Sequence, residues 1–490
     1  MINPPSPALL AALERRLGPK GFSADADAMG PWLEDWRKRY RGASPALLSP
    51  ADTDEVSAIV RMCAPERVAL VPQGGNSSMA GGATPDATGA ALLLSLRRMN
   101  RVRRVDADGA VAVVEAGVIL ADLHAAAAGA GLRFPLTLGA RGSATVGGLV
   151  STNAGGTQVL RWGTMRGLVR GIEAVLADGS LLNGLSALKK DNRGYDLTQL
   201  LIGAEGTLGV VTAATLRLAP AIGSRSVAWI GLDTPTAALA LLRLAGERLG
   251  DAVEGFELVP DEALELVLRH VPGMRAPLRS GHSWHVLIEA VAAAGAPAPE
   301  AGLQAVLEAA LGSGLIEDAA IAASEAQADA FWRIRDSISE AERKDGPAAK
   351  HDLSVEVAAM PGFIAEAKAA VEARFPGTRV IAFGHLGDGN VHFNVRAPEG
   401  AGEQWLACDA AAVTGFVHDL VTAAGGSISA EHGIGQMRLS ELGRLGDPAR
   451  LAAMRAIKQA LDPHGIMNPG KLVPPPVSGD ESLAEPPPAP

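Results

Sequence analysis

The sequence predicts an α+β protein of more than one domain, and three observations predict it. The chain has 490 residues, which at roughly 150 per domain allows about three compact units. Up to Pro220 short apolar runs are separated by clustered glycines; beyond it the glycines thin out and helix-length and strand-length patterns alternate. Hydrophobic residues at 48% and charged residues at 20% are the proportions of a folded globular chain, so each unit has apolar side chains enough for a core.

Ser6 and Pro7 open a helix over ALLAALERRL that Gly18 stops, and residues 52–63 form a second helix capped by Asp52 or Thr53. VALVP (68–72) is a short buried strand running into a glycine loop. Residues 101–117 alternate around Asp108-Gly109, which predicts a hairpin with a two-residue turn. A helix over 118–131 ends in glycine, and residues 132–183 mix short strands with glycine turns. LLIGAEGTLGVVTAATLRLAP then closes this half with an alternating strand that stops at Pro220. In the second half TPTAALALLRLAGERLG and APEAGLQAVLEAALGSG are helical and HSWHVLIEA is a strand, the alternation of a separate α/β layer domain. Residues 404–424 and 447–462 form long helices. The tail from Pro474 is Pro-rich and acidic and is expected to be disordered.

A net charge of 44 − 54 = −10 excludes a general nucleic-acid binder, which needs basic residues to neutralise phosphates. It does not exclude a small anionic substrate. The chain contains no apolar run of about 18 residues, so no membrane span is expected. Cys63 and Cys408 cannot build a disulfide framework or a cysteine-rich metal module. The first residues do not have the pattern of a secretory or organelle leader, and a reduced, cytoplasmic setting is expected.

Glycine clusters carry the first functional signal. PQGGNSSMAGG (72–82) follows a strand directly, and its small residues can present backbone N–H groups to an anion. TLGARGSATVGGLVSTNAGG (137–156) and KKDNRGYDLTQLLIGAEGTLGVVT (189–212) repeat the character. Three such stretches in one domain are hard to explain as turns alone; a large phosphate-bearing cofactor lying across them explains all three. The strand–GxGxxG–helix unit of a Rossmann dinucleotide site is missing, as are the P-loop and the nucleophile elbow.

On these motifs the chain resembles the FAD-binding domain of the vanillyl-alcohol oxidase/p-cresol methylhydroxylase class, and within it the D-lactate/D-2-hydroxyglutarate dehydrogenase branch, from about residue 45 to about 473. The resemblance implies an N-terminal helical segment (1–44), a two-subdomain FAD domain (45–220), a cap domain (221–425), a segment returning to the FAD domain (426–473) and a tail (474–490). It places FAD against Pro72, Gly74, Gly75, Asn76, Ser77 and Ser78 of the first loop. It adds Gly142, Ser143, Thr145, Gly148, Asn153 and Gly155 of the second, Glu205, Gly206, Gly209 and Val210 of the third, and Asn468. Ser77-Ser78 replaces the Thr-Gly usual in the class but keeps a hydroxyl.

GHLGDGNVHFNV (384–395) sets His392 and Asn394 on one face of a strand after a tight turn, with His385 just before the turn. AEHGIG brings Glu431 and His432 to a second glycine turn. One histidine alone is more often a hydrogen-bonded core or surface residue, but two histidines and a glutamate in such motifs make a donor set for a divalent cation with open positions. The resemblance assigns the cation, usually zinc, to His385, His392 and Glu431, and substrate contacts to Asn394 and His432, with His432 as the general base. It assigns Arg335, Ser339 and Lys350 to the distal carboxylate of a D-2-hydroxy dicarboxylate, two cations that a monocarboxylate would leave unneutralised. Glu340, Glu342 and Arg343 between them are expected on a solvated face. Glu356 stands where the branch often has proline.

The resulting expectation is FAD-dependent, metal-assisted oxidation of a D-2-hydroxy acid, D-2-hydroxyglutarate foremost. An electron-transfer flavoprotein or a quinone takes the electrons onward, and a homodimer is left open. D-lactate is the neighbouring alternative; a non-catalytic electron-relay subunit is the distant one, and it would have no use for the metal set.

Overall fold

A computed structural model describes residues 2–279 and 281–476. The expected disorder of the tail falls, beyond Pro476, outside the described residues. Among those described, no helix is long and apolar enough to cross a membrane.

The helix Pro7–Gly21 starts where Ser6 Oγ accepts from Leu9 N, and its helical path breaks at Gly18, which has φ +63°. Asp52 caps the helix Thr53–Glu66 through Glu55 N. Both pack through Leu13, Leu17, Val56 and Ile59 against a small sheet whose strands Leu47–Leu48, Leu92–Ser95 and Leu70–Gln73 run parallel. Residues 466–468 extend this sheet: Leu70 N donates to Ile466 O and Asn468 N to Leu70 O, so the chain's far end is fastened to the first glycine loop. A second, five-stranded antiparallel sheet is built from Val102–Asp106, Val111–Glu115, Val210–Arg217, Val169–Val175 and Leu181–Asn183.

The hairpin at 101–117 forms, but its loop has four residues, not two. Asp106 pairs with Val111, Asp106 Oδ1 accepts from Gly109 N, and Ala110 takes the left-handed conformation. Residues 132–183 are more helical than expected, with short helices Val146–Thr152, Val159–Trp162 and Met165–Leu168. Gly147 serves the first of these as contact surface, since a Cβ there would stand 2.7 Å from Ala116 Cβ. The helix expected over 404–424 is broken at Asp409 into Gln404–Cys408 and Ala410–Ala423.

The second domain holds a seven-stranded sheet that is antiparallel throughout, not the parallel layer that βα alternation suggests. Helices cover both faces. One face packs Ile230, Leu258 and Phe393 under the helices Pro235–Leu249, Met360–Arg374 and Ala410–Ala423. The other packs Trp229, Val259 and Phe383 under Asp261–His270, Glu325–Asp336 and Ile338–Asp345. It is this second face that turns polar at one end and carries the site.

A buried carboxylate ties the two domains together. Glu254, 1% exposed in the strand Val253–Pro260, accepts from both Arg133 and Arg161 and from Trp162 Nε1, all from the FAD-domain side. Burial alone would raise its pKa; the two guanidiniums and the indole hold it below the ordinary value of 4.5. A depressed carboxylate stabilises the fold above its unfolded pKa and loses that contribution as pH falls through the folded one. Glu254→Ala should therefore cost about 3–5 kcal/mol, because it strands two cations. Thermal denaturation should show the domains melting further apart, and the parent protein should approach that behaviour in acid and not in base.

Candidate active site

Alternation along four neighbouring strands builds the site. Glu257 pairs with His385 across one ladder, Phe383 with His392 across the next, and Asn394 and His392 with Lys350 and Asp352 across the third. Side chains two apart share a face, so these residues rise together from one end of the sheet. The turn between His385 and Asn390 can be this tight because Gly389 has φ +79° and a Cβ there would lie 2.0 Å from Val355 O.

His385, His392 and Glu431 offer ligand atoms that all lie within 4.8 Å of one another. His385 Nε2 stands 3.0 Å from Glu431 Oε1, and the imidazoles of His385 and His392 are 5.4 Å apart between centroids. On its other side, His385 Nδ1 meets Glu257 Oε1 at 2.5 Å. Burial disfavours charge on His385, but Glu257 and Glu431 overrule it and push its pKa up to about 10. Burial pushes His392 down to about 3. A neutral imidazole, a carboxylate, and an imidazole whose far nitrogen is held by a second carboxylate suit a borderline divalent cation, which would take the place of the His385 Nε2 proton. Glu257 also accepts from Arg335 Nε at 2.8 Å, and these partners pull its pKa down to about 2 against full burial.

Asp352, 1% exposed, fixes the other histidine. Its Oδ2 accepts from Glu431 N (3.0 Å) and His432 N (2.9 Å) and lies 3.2 Å from His432 Nδ1, while Oδ1 accepts from Asn390 Nδ2. One carboxylate thereby positions both residues of the 431–432 pair and turns His432 Nε2 away from itself. Burial keeps the His432 pKa below the ordinary 6.5, Asp352 opposing, so the ring is a neutral base at pH 7.

At the sheet's edge Lys350 Nζ lies 3.3 Å from both Ser339 O and Glu342 Oε2, and Asn394 Nδ2 donates to the same Glu342 oxygen at 2.7 Å. Two expectations are corrected here. Glu342 is fully buried, not solvated, because the helix Ile338–Asp345 turns it inward between Lys350 and Asn394. Arg335 and Lys350 are not unpaired cations: Glu257 takes one and Glu342 the other. A helix break at Ser337 separates Arg335 from Ser339, which is exposed and meets Lys350 through its carbonyl. Arg335 Nη2 nevertheless remains buried without a partner.

The glycine loops meet as a cradle. A Cβ on Gly75 would stand 1.7 Å from Ser143 O, and one on Gly74 2.1 Å from Thr145 Oγ1, so the first two loops touch through bare backbone. Gly142 has nothing within 4 Å of its Cβ position, and at Gly148 only Thr145 Oγ1 comes near, at 3.5 Å. Buried Thr145 Oγ1, Gln73 Oε1 and Asn468 Oδ1 lack partners. Open space beside orphaned polar atoms fits a large polar cofactor. Pro72 faces Gly206, a Cβ on Gly209 would stand 2.9 Å from Val175 O, Ser78 Oγ accepts from Ala80 N and Gly82 N, and Ser77 and Ser143 stand in the loops themselves. Gly155 brings the second loop to within 3.9 Å of Glu431 Cγ, measured from its Cβ position.

Four residues assigned to the cofactor use their side chains elsewhere. Asn76 Nδ2 donates to Pro31 O and Glu34 O, Asn153 Oδ1 accepts from Arg166 N, Glu205 accepts from Ile434 N and Gly435 N, and Val210 lies in a core. Sequence reasoning missed Glu257, Asp352 and Glu342; the signal for the first was a glutamate inside the apolar strand FELVP.

The model of "FAD linked oxidases, C-terminal domain" matches residues 223–472, and that of "FAD binding domain" matches residues 44–184. D-2-hydroxyglutarate dehydrogenase of Xanthomonas citri pv. viticola is 40% identical over 438 residues, 89% of this chain and 91% of that one. The mitochondrial D-2-hydroxyglutarate dehydrogenase of Bos taurus is 39% identical over 466 residues, 95% of this chain and 83% of that one. The chain belongs to the D-2-hydroxyglutarate dehydrogenase family of FAD-linked oxidases. It is an FAD-dependent oxidoreductase. The fold agrees: substrate-bound p-cresol methylhydroxylase superposes with a TM-score of 0.75 over 95% of this chain and 96% of that one, at 14% identity.

In this FAD-linked oxidase Glu257 is the residue through which the metal-type cluster and Arg335 are tied. Glu257→Gln should lower divalent-metal affinity by about 10- to 100-fold, the usual cost of losing a partner behind a ligand. Titration of the metal-depleted holoenzyme with zinc measures it, and flavin content should not change, since Arg335 and His385, the side-chain partners of Glu257, both lie in the second domain.

Proposed function

We propose that the protein oxidises a D-2-hydroxy dicarboxylate, D-2-hydroxyglutarate foremost, to the 2-oxo acid, with a divalent cation, zinc by donor type, on His385, His392 and Glu431. The observation that carries this reading is the buried His–His–Glu cluster with the unpartnered Arg335 Nη2 beside it. The names of the relatives support the substrate. When bound, flavin supplies a hydride acceptor and the cation supplies Lewis acidity toward a hydroxyl oxygen. His432, held by Asp352 through Nδ1, takes the C2 hydroxyl proton on Nε2. Asn394 orients the α-carboxylate, and Arg335, Ser339 and Lys350 receive the distal one. An electron-transfer flavoprotein or a quinone then collects the electrons. Unpaired Cys63 and Cys408 support a reducing compartment, the cytoplasm by the sequence reading.

D-lactate is a second reading that one observation favours: with Glu257 and Glu342 already facing Arg335 and Lys350, a substrate without a second carboxylate strands no cation.

A panel of 2-hydroxy acids, both enantiomers, with an artificial acceptor separates the two. D-2-hydroxyglutarate should reduce the flavin and its enantiomer should not. A charge-assisted hydrogen bond is worth roughly 1.5–3 kcal/mol, so Arg335→Ala should cost the dicarboxylate at least about tenfold more in kcat/KM than it costs D-lactate. Equal losses would make Arg335 a structural partner of Glu257 only. Chelation should abolish turnover with FAD still bound, and His392→Ala should do the same. Acid or heat should release the flavin into solution, because segments 72–82 and 137–156 contain no His, Cys or Tyr to hold it covalently.

A further inference from the structure

Glu342 is a buried acid that no step described above uses. Ile338, Ala341 and Glu342 stand at i, i+3 and i+4 of the helix Ile338–Asp345 and form its buried face. A carboxylate thus occupies a position where the pattern calls for an apolar side chain, with 0% exposure. Its Oε2 accepts from Asn394 Nδ2 at 2.7 Å and lies 3.3 Å from Lys350 Nζ. One oxygen therefore engages two of the side chains assigned above to the carboxylates of the substrate. Its Oε1 is buried and has no partner. An anion buried with one oxygen unmet is unfavourable; the same group as a neutral acid is far less so.

Lys350 reaches Glu342 from the strand Ala348–Ser354, and Asn394 and Arg396 reach it from Asn390–Arg396. Arg396 Nη1 donates to the Glu342 carbonyl, not to the carboxylate, and Nη2 pairs with Asp345, which also meets His270 of the helix Asp261–His270. On the helix of Glu342 itself, Glu340 and Lys344 pair with each other at the surface and Arg343 is exposed. Among the described residues Lys350 is thus the cation in ion-pair contact with the carboxylate. Burial raises the Glu342 pKa, with Lys350, Asn394 and Arg396 opposing. A substrate carboxylate on Lys350 Nζ, at the usual ~2.8 Å, would lie within about 6 Å of Glu342 Oε2. Two carboxylates that close on one ammonium do not both stay ionised without a large penalty, and a proton on one of them removes it. Glu342, buried and with an oxygen to spare, is the one placed to take it.

We propose that Glu342 sets the substrate specificity of the site: it occupies Lys350 and Asn394 in the free enzyme, and it admits a second carboxylate only by taking one proton from solvent onto Oε1. As the neutral acid it leaves the charge of Lys350 to the substrate; a monocarboxylate needs no such proton. This rests on the functional reading above, in which Lys350 receives the distal carboxylate, and deepens it. Because binding takes up a proton, dicarboxylate binding weakens as pH rises above the pKa of Glu342 in the free enzyme, by at most about tenfold per pH unit.

Holoenzyme carrying Glu342→Gln, Glu342→Leu or, at the exposed neighbour, Glu340→Gln is compared with the parent from about pH 6 to about pH 9. The first readout is the ratio of kcat/KM on D-2-hydroxyglutarate to that on D-lactate with an artificial acceptor, in which effects common to both substrates cancel. The second is 2-oxoglutarate binding followed by flavin absorbance, which needs no turnover. In the parent, the ratio and the affinity should both fall by at least about tenfold as pH rises across that range. Glu342→Gln keeps an acceptor for Asn394 and imitates the neutral acid. Its ratio should match the parent's acid-side value at every pH, and so stand at least about tenfold above the parent at the alkaline end. Glu340→Gln should follow the parent. A Glu342 that only holds Lys350 in place predicts the opposite sign, a lower ratio in Glu342→Gln. That outcome, or a parent ratio that does not change with pH, overturns the proposal. The Glu342→Gln protein retains His270, Asp345 and His432, so a pH dependence of the ratio that persists in it overturns the proposal too. If Glu342→Gln binds less flavin, Glu342→Leu, also uncharged, decides by the same ratio. A parent enzyme whose flavin D-2-hydroxyglutarate does not reduce at any pH would instead overturn the functional reading.

Discussion

The site depends on the fully buried carboxylate of Glu257. A carboxylate with no access to water persists as an anion only if its oxygens are met, and here Arg335 Nε meets one and His385 Nδ1 the other. That pair of contacts sets the tilt of the His385 ring and hence where Nε2 points. It also holds the guanidinium of Arg335 against Phe383, 5.5 Å from the ring centroid, with Nη2 left over. The metal-type cluster and Arg335 are thus placed by the same two oxygens, and neither can move without the other.

A second constraint is that Glu431 and His432 belong to a segment with almost no regular structure of its own. Two buried acids hold it. Asp352, from the strand Ala348–Ser354, takes the backbone N–H groups of 431 and 432; Glu205, from the FAD domain, takes those of 434 and 435. The Glu205 pKa is raised by burial, with those N–H groups opposing. One stretch of loop is therefore clamped from both domains within five residues. The helix Pro448–Leu461 continues the fastening, with Lys458 Nζ donating to Thr207 O and Met467 O. Side chains on a loop can be held accurately when the backbone donors around them are claimed by buried acceptors.

Much of this was legible because it is local. Ser6, Gly18 and Asp52 mark helix ends by chemistry that acts over three or four residues, and the structure uses them so. The alternation in VHFNV was enough to place His392 with Asn394, and the glycine turn enough to fold His385 back on them. What was not legible is partnership across distance. Glu257 and His385 are 128 residues apart, Glu342 and Asn394 are 52, and no spacing rule links them. The error over Glu342 shows the mechanism: between Glu340 and Arg343 it sits in a charged run, and only the helix break at Ser337 rotates it inward. The direction of the cap strands was not legible either, because βα alternation also arises when helices cover both faces of antiparallel strands.

The glycines tie these constraints to the chemistry. The proposed hydride transfer would tolerate little separation between donor carbon and acceptor, and the cofactor loops and the metal-type cluster do approach nearly to contact. Several of the contacts between domains occur where side chains are missing. Gly155 lies against Glu431, Gly387 against Leu160, Gly433 against the Glu205 carboxylate, and Gly435 against Ala80 O, where a Cβ would stand 2.1 Å away. A methyl group at Gly435 would push the 431–435 loop off the first glycine loop and carry Glu431 and His432 with it. The glycine clusters that first pointed to a cofactor therefore have two jobs. Some expose backbone to a ligand; others let a loop held by two buried acids come close enough for its side chains to work on a substrate lying against that ligand.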